Sequence, residues 1–215
     1  MKYFFWAVLL LISLSLSAQY PIPFKEEVDE IVKRNDSLWD ASKKTIVFTG
    51  SSSIRFWKDL QERFPEKQVL NSGFGGSQAS DLLTHLEDLV LRYRPAKVFI
   101  YEGDNDIFAK KRPNSILTTT NNIIAKLRAD NPNREVVLIS AKPSLSRWKL
   151  RRKYKRFNKK LAKFATENAK VTFVDVWKPM LAKRKVRNDI FVEDGLHMNE
   201  KGYDIWYNTI KDLVD

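Results

Sequence analysis

The sequence predicts an α/β protein, a three-layer α/β/α sandwich around a five-stranded parallel sheet. Five short runs of apolar residues alternate along the chain with segments of helical periodicity. The runs are apolar throughout rather than at alternate residues, which is typical of strands that helices cover on both faces. No repeat, low-complexity linker or break in composition divides the 215 residues, so we expect one domain behind a leader.

The predicted strands are rich in Val, Ile and Phe, as in the runs KVFIY and EVVLIS. They cover residues 44–49, 68–71, 97–101, 135–140 and 171–176. The predicted helices carry apolar residues three or four positions apart, as at Leu82, Leu86 and Leu89. They cover residues 24–39, 54–64, 79–93, 115–129, 147–168 and 200–214. Ligands of a parallel sheet bind beyond the carboxyl ends of its strands, so a functional site is expected in the loops that follow them.

Residues 1–18 predict a signal peptide, and therefore a secreted or periplasmic protein. Lys2 gives a positive start, residues 3–16 are almost wholly apolar, and the small residues Ser17 and Ala18 follow. A membrane anchor is the alternative, but the apolar run is shorter than the ~20 residues that span a bilayer. The chain has no cysteine, which excludes both a lipid-modified cysteine and disulfide bonds.

The charge of the chain is strongly basic. The formal net charge is +12, and basic residues are densest between residues 147 and 160. The simplest interpretation of this run is the solvated face of a helix. A basic surface also attracts anionic polymers. For an exported protein we expect an anionic envelope polymer rather than nucleic acid, for which the sequence carries no recognition motif.

Serines and glycines follow the first two predicted strands. Gly50 precedes three serines, Ser51, Ser52 and Ser53. A serine before a helix commonly caps it, but at a tight strand-to-helix turn a serine is also held exposed, as a nucleophile requires. Three glycines lie within residues 73–76. They predict either a simple turn or a backbone N–H that stabilises an oxyanion.

Asn105, Asp194 and His197 are the remaining polar candidates. Asn105 follows the third strand, where the alternatives are an ordinary acidic turn and an uncharged amide that donates to an oxyanion. Asp194 lies three residues before His197, so in one turn its carboxylate reaches the imidazole, as in a Ser-His-Asp site. The other histidine, His85, lies in a predicted amphipathic helix and is interpreted as structural. Two histidines and no cysteine leave no three-histidine or thiolate site, so we expect no metal and no cofactor.

These motifs resemble those of the SGNH (GDSL-like) hydrolase superfamily, and within it the branch that looks like platelet-activating-factor acetylhydrolase subunits. Gly50-Ser51-Ser52 stands where that family has Gly-Asp-Ser, residues 71–76 match Asn-x-Gly-x-Gly-Gly, residues 103–106 match Gly-x-Asn-Asp, and residues 194–197 match Asp-x-x-His. Ser51 replaces the usual Asp, and Ser77 stands where Asp or Glu is often expected. The resemblance implies a flavodoxin-like SGNH hydrolase domain over residues 45–215, and leaves residues 19–44 as an N-terminal helical segment.

The resemblance implies Ser52 as the nucleophile, His197 as its base and Asp194 as the residue that orients the base. The implied oxyanion donors are the Ser52 and Gly76 amides and the Asn105 side chain. We therefore expect a secreted serine esterase that cleaves a short, acetyl-like ester of a small molecule or glycan through an acyl-enzyme. Acyl transfer to a sugar hydroxyl and a non-catalytic module that binds anionic glycans stay open as alternatives. No feature of the sequence specifies an oligomeric state.

The predicted leader has a direct test. Because cleavage is expected after Ser17 or Ala18, exported protein should begin near Ala18 or Gln19 and stay in solution. N-terminal sequencing of protein recovered outside the cytoplasm measures this. An intact Met1 together with retention in the membrane fraction would show that the segment is an anchor instead.

Overall fold

The computed structural model describes residues 22–215, and the predicted signal peptide lies outside the described residues. Its centre is a sheet of five strands. These are Thr45–Gly50 (β1), Gln68–Gly73 (β2), Lys97–Tyr101 (β3), Glu135–Ile139 (β4) and Val171–Val174 (β5). Neighbouring strands are parallel throughout, in the order β2-β1-β3-β4-β5. The predicted five-stranded parallel sheet is confirmed.

The strand order reverses between β1 and β3. The chain runs from β1 outward to β2, and then returns to build β3, β4 and β5 on the other side of β1. In such sheets, ligands bind in the crevice beyond the carboxyl ends of the two strands at the reversal. Gly50 pairs with both Gly73 of β2 and Tyr101 of β3, so the loops after these three strands begin side by side.

Helices cover both faces of the sheet. The α-helices of the described residues are Lys25–Leu38 (α1), Ser52–Arg55 (α2), Ala79–Thr84 (α3), Leu86–Leu89 (α4), Asp104–Phe108 (α5), Pro113–Asp130 (α6), Arg151–Thr166 (α7) and Glu200–Ile210 (α8). Val47 of β1 faces a first core, which α1, α3, α4, α6 and α7 cover, while Ile46 and Phe48 face a second core under α2 and α8. The three-layer sandwich is thereby confirmed. Within residues 22–215 no helix has both the length and the apolar character needed to cross a membrane.

The predicted helix over residues 54–64 is wrong. Only α2 at its start is helical, and the chain then continues in turns. The side-chain amide of Asn71 donates to the carbonyl oxygens of Ile54 (2.8 Å) and Trp57 (3.1 Å). In a continuing helix these oxygens would instead accept from the backbone amides four residues later. The helical spacing of apolar residues in this segment therefore reflects burial in the second core rather than helix formation.

The predicted helix over residues 79–93 is interrupted. α3 ends at Thr84, His85 separates it from α4, and Leu91–Tyr93 is a 3₁₀ turn. His85 is buried and its Nε2 lies 2.6 Å from the carbonyl oxygen of Pro23, so this histidine is structural. The sequence also failed to predict α5 and a small antiparallel hairpin of Leu181–Ala182 (β6) and Lys185–Val186 (β7).

The turn after β1 requires a glycine. Gly50 has φ 125°, and a Cβ atom at this position would lie 2.1 Å from the carbonyl oxygen of Tyr101. The same carbonyl accepts a hydrogen bond from the amide of Ser51 (3.1 Å). This close approach of β1 and β3 places the three serines directly beside the end of β3.

Candidate active site

Ser52 and His197 are in hydrogen-bond contact at the carboxyl end of the sheet. Ser52 is the first residue of α2, and its Oγ lies 2.9 Å from Nε2 of His197. The ring of Phe56 packs edge-on against the imidazole, with 4.9 Å between ring centroids. Ser51 and Ser53 are both buried, so Ser52 is the serine of the three that meets the imidazole.

Asp194 holds the other side of the imidazole. Its Oδ2 lies 2.5 Å from Nδ1 of His197, and its Oδ1 accepts hydrogen bonds from the backbone amides of Leu196 (2.8 Å) and His197 (2.9 Å). Burial acts to raise the pKa of Asp194, but these two amides and the imidazole outweigh it and lower the pKa to about 2. An ionised Asp194 places a proton on Nδ1 and leaves Nε2 free to accept the serine proton.

The loop that carries His197 is fixed by backbone hydrogen bonds. The carbonyl oxygen of Gly195 accepts from the amides of Leu145 (2.9 Å) and Ser146 (3.1 Å), which lie in the loop after β4. The amide of Val192 donates to the carbonyl oxygen of His197 (2.9 Å). The position of the imidazole therefore depends on contacts with a second loop of the same crevice.

Asn105 lies between the loops after β1 and β2. Its Nδ2 donates to Oγ of Ser51 (2.9 Å) and to the carbonyl oxygen of Ser77 (2.9 Å). These acceptors neighbour Ser52 and Gly76, so the structure brings the predicted oxyanion donors together. Both hydrogens of Nδ2 therefore already have protein acceptors. If Asn105 donates to an oxyanion, the oxyanion would have to share or displace the hydrogen bond that the Ser51 hydroxyl accepts.

Gly76 lies three residues beyond the end of β2, and its backbone amide has no partner among the described residues. It has φ 68°, and a Cβ atom there would meet no atom within 4 Å. Among residues 22–215, neither its amide nor that of Ser52 has a hydrogen-bond acceptor. The amide of the neighbouring Gly75 donates to Oε1 of Glu27 (2.9 Å), which also pairs with Arg55 (3.0 Å). Sequence reasoning missed Glu27, since nothing in α1 marks it as part of a site.

Residues 36–205 match the profile of the GDSL-like Lipase/Acylhydrolase family. The chain belongs to this family. None of the curated proteins compared with it matches significantly. The resemblance noted in the motifs is thus confirmed at the level of the family.

Solved structures share the fold. A Streptococcus pneumonia protein provisionally identified as a platelet activating factor is 25% identical, with a TM-score of 0.77 over 88% of this chain and 94% of its own. A GDSL-like lipase from Bacteroides thetaiotaomicron is 22% identical, with a TM-score of 0.73 over 87% and 96%. An acetyl-xylooligosaccharide esterase from Geobacillus Stearmophilus is 17% identical, with a TM-score of 0.67 over 80% and 94%. These similarities confirm the flavodoxin-like SGNH hydrolase fold.

A buried charge cluster lies beneath the site. Asp104, at the start of α5, accepts hydrogen bonds from Arg147 (2.7 Å), from Tyr101 (2.8 Å) and from the hydroxyl of Tyr154. Burial acts to raise the pKa of Asp104, but Lys142 and Arg147 outweigh it and lower the pKa. The sequence places Arg147 on the predicted solvated face of a basic helix. For this residue the prediction is wrong, because its side chain is only 11% exposed.

Lys142 connects this cluster to the histidine loop. Its side chain is fully buried, with Nζ 3.8 Å from Oδ2 of Asp104 and 2.7 Å from the carbonyl oxygen of Leu196, the residue before His197. Burial lowers the pKa of Lys142, and Asp104 opposes that effect. Sequence reasoning missed this residue too, because a lysine in the loop after a strand is usually solvent-exposed.

Glu102 is a second buried carboxyl group near the oxyanion loops. Its Oε1 accepts a hydrogen bond from Oγ of Ser77 (2.7 Å), while its Oε2 has no partner among the described residues. Burial, together with the nearby charges of Asp106 and Asp81, raises the pKa of Glu102 well above its usual range. Within residues 22–215, no three His, Cys, Asp or Glu side chains are grouped to hold a metal ion.

The raised pKa of Glu102 predicts a pH-dependent stability. In the unfolded chain a glutamate ionises near pH 4.3, whereas folded Glu102 stays protonated to higher pH. The wild-type free energy of unfolding should therefore lose a contribution as pH rises between these two pKa values. Glu102→Gln does not titrate, so its stability relative to wild type should increase from about pH 4 to about pH 8 in urea denaturation.

The exposed Glu62→Gln serves as the matched control, because it removes a glutamate of similar chemistry without removing a buried one. Its stability relative to wild type should change little across the same pH range. A constant difference between Glu102→Gln and wild type at every pH would show that Glu102 ionises normally in the folded protein.

Proposed function

We propose that this protein is a serine esterase that hydrolyses acyl esters through a covalent acyl-enzyme. The observation that carries the proposal is the continuous chain from Ser52 Oγ to His197 Nε2 (2.9 Å) and from His197 Nδ1 to Asp194 Oδ2 (2.5 Å). It supplies a nucleophile, its base and the group that orients the base. Membership of the GDSL-like lipase/acylhydrolase family supports hydrolase chemistry at this site.

The reaction begins when Nε2 of His197 takes the hydroxyl proton of Ser52. Ser52 Oγ bonds to the ester carbonyl carbon, and the carbonyl π electrons move to oxygen to give a tetrahedral oxyanion. The intermediate collapses by breaking the bond to the alcohol oxygen, which receives the proton from His197. A water molecule then attacks the acyl-enzyme with His197 as base, and Ser52 is regenerated as the acid product leaves.

The free amides of Ser52 and Gly76 are the proposed first donors to the oxyanion, with the Asn105 side chain as the third. Each donor of this kind contributes ~10²–10³ to the rate because it is already oriented before charge develops. Asp194 stays ionised throughout and stabilises the imidazolium that forms at His197.

For the substrate we propose a short, acetyl-like ester on an anionic polysaccharide outside the cell. Solved structures that share the fold include an acetyl-xylooligosaccharide esterase and a carbohydrate esterase of family 3. The signal peptide proposed for residues 1–18 would deliver the protein to such polymers. Acyl transfer to a sugar hydroxyl would use the same acyl-enzyme, and product analysis in the presence of an acceptor sugar separates the two.

The charge of α7 supports an anionic partner. The helix RRKYKRFNKKLAKFAT carries eight Lys and Arg residues and no acid, and of the eight only Lys163 forms an ion pair within the described residues. Cations in the first helical turn oppose the helix dipole, and like charges four residues apart cost about 0.2–0.5 kcal/mol per pair. Such a charge pattern reduces helix stability, which favours a role in binding a polyanion.

The nucleophile is the first assignment to test. Ser52→Ala should abolish turnover of p-nitrophenyl acetate while leaving the fold intact, because a partly exposed hydroxyl contributes little to stability. His197→Ala should be nearly as severe, and the double variant little worse than either, because the two residues act as one unit. An organophosphonate probe followed by peptide mass mapping should place the adduct on Ser52.

Ser51→Ala and Ser53→Ala are the matched controls, since each removes one neighbouring hydroxyl. Both should keep the adduct and most of the activity, with losses of ~1 kcal/mol from loop effects. An adduct on Ser51 or Ser53, or full activity in Ser52→Ala, would contradict the assignment. A wild-type protein that neither turns over the ester nor forms an adduct would favour the non-catalytic alternative.

The basic surface of α7 has a separate test. Changing Lys153, Lys155 and Arg156 together to Gln should leave kcat/KM for p-nitrophenyl acetate within about twofold of wild type, because the substrate is small and neutral. The same variant should bind polygalacturonate more weakly, and the affinity of wild type should fall with added salt. Affinity is measured by calorimetry at low and at moderate ionic strength.

A charge-matched control uses the exposed Lys183, Arg184 and Lys185 of the β6–β7 hairpin. Changing these three to Gln removes the same charge from another surface. Equal weakening by both triple variants would show that only net charge attracts the polymer. A loss of small-ester turnover in the α7 variant would show instead that this segment builds the active site.

A further inference from the structure

The orientation of the Asn105 side-chain amide is determined by two partners that cannot exchange roles. Nη1 of Arg147 lies 3.0 Å from Oδ1 of Asn105, and a guanidinium only donates hydrogen bonds. The carbonyl oxygen of Ser77 lies 2.9 Å from Nδ2 and only accepts. A flipped amide would place Nδ2 against the guanidinium and Oδ1 against the carbonyl, so both contacts would be lost.

Arg147 is itself held rigidly. The same Nη1 donates to Oδ1 of Asp104 (2.7 Å), and the guanidinium lies 4.4 Å from the ring centroid of Phe108. Its side chain is only 11% exposed, although it begins the most basic segment of the chain. Arg147 therefore connects a buried carboxylate to an amide that faces the site, a role different from that of the solvated cations that follow it.

We propose that Arg147 is a positioning residue for the oxyanion hole, which directs Nδ2 of Asn105 toward the developing oxyanion by holding Oδ1. The proposal rests on the esterase function proposed above. The guanidinium also withdraws electron density from the amide oxygen, which makes the N–H groups of Nδ2 better donors. Arg147 acts through Asn105 and does not itself contact the reacting atoms.

The expected effect is a loss in kcat rather than in substrate binding. An oxyanion donor acts mainly in the transition state, and removing one entirely costs ~10²–10³ in kcat. Arg147→Gln leaves the Ser77 contact in place, so we expect a loss of about 10-fold to 100-fold in kcat with KM little changed. Arg147→Lys keeps the positive charge beside Asp104 and provides a second variant should Arg147→Gln fold poorly.

A double-mutant cycle with Asn105→Ala tests the route of the effect. If Arg147 acts through Asn105, then Arg147→Gln or Arg147→Lys should cost less than about twofold in kcat once Asn105 is already alanine. The exposed Arg94→Gln, which lies outside both α7 and the site, serves as the matched control and should leave kcat unchanged in both backgrounds. Equal losses in the presence and absence of the Asn105 amide would overturn the proposal.

A second readout does not depend on activity. The side-chain amide resonances of Asn105, assigned by their disappearance in Asn105→Ala, report its hydrogen bonds by NMR. In Arg147→Gln and Arg147→Lys they should shift and exchange faster with solvent, while Arg94→Gln should leave them unchanged. Unaltered resonances would overturn the positioning role even if the protein hydrolysed no ester. If the Arg147 variants alter the resonances but the wild-type protein hydrolyses no ester, the positioning of Asn105 by Arg147 is supported and only the esterase function is rejected.

Discussion

Asp104 lies away from water at the carboxyl end of the sheet, where a carboxylate costs several kcal/mol unless opposite charges and donors surround it. Two tyrosine hydroxyls and the cations Lys142 and Arg147 meet that requirement. Each cation has a second contact in the site, Lys142 with the carbonyl of Leu196 and Arg147 with Asn105. The need to neutralise one buried charge thereby fixes both the loop of the proposed catalytic histidine and the amide beside the proposed nucleophile.

The N-terminal helix α1 supports the same site, although most of it precedes the segment that matches the family profile. Glu27 accepts from the amide of Gly75 and pairs with Arg55 of α2, while Asn35 donates to Oγ of Ser72 in β2. Apolar residues of α1 are buried in the first core of the sheet. The boundary near residue 44 is therefore a boundary in the sequence pattern, while in the folded chain α1 positions the loop that presents the free glycine amide.

The strands were predictable because a buried parallel strand is a continuous apolar run. The loops at their ends were predictable because the carboxyl ends of parallel strands lie at one edge of the sheet, regardless of where the helices begin and end. The sequence of residues 54–64 could not show that this segment is not a helix. The side chain that stabilises its turns, Asn71, lies in β2 and donates to the carbonyls of Ile54 and Trp57. The role of Arg147 could not be predicted either, because its partners are distant in sequence. Its contacts with Asp104 and Asn105, both distant in sequence, distinguish it from the solvated cations that follow it.

The serine at position 51 affects how the proposed oxyanion hole would operate. In the resting protein its hydroxyl accepts one N–H of Asn105, and a neutral hydroxyl is a weaker acceptor than an oxyanion. The uncharged carbonyl oxygen of a bound ester therefore competes weakly with the Ser51 hydroxyl for that N–H. The negatively charged oxygen that forms when Ser52 attacks competes much more strongly and can accept the hydrogen bond. A carboxylate at position 51 would compete far more strongly. In the proposed mechanism the Asn105 contact is thus made mainly in the transition state, which is where binding energy raises kcat.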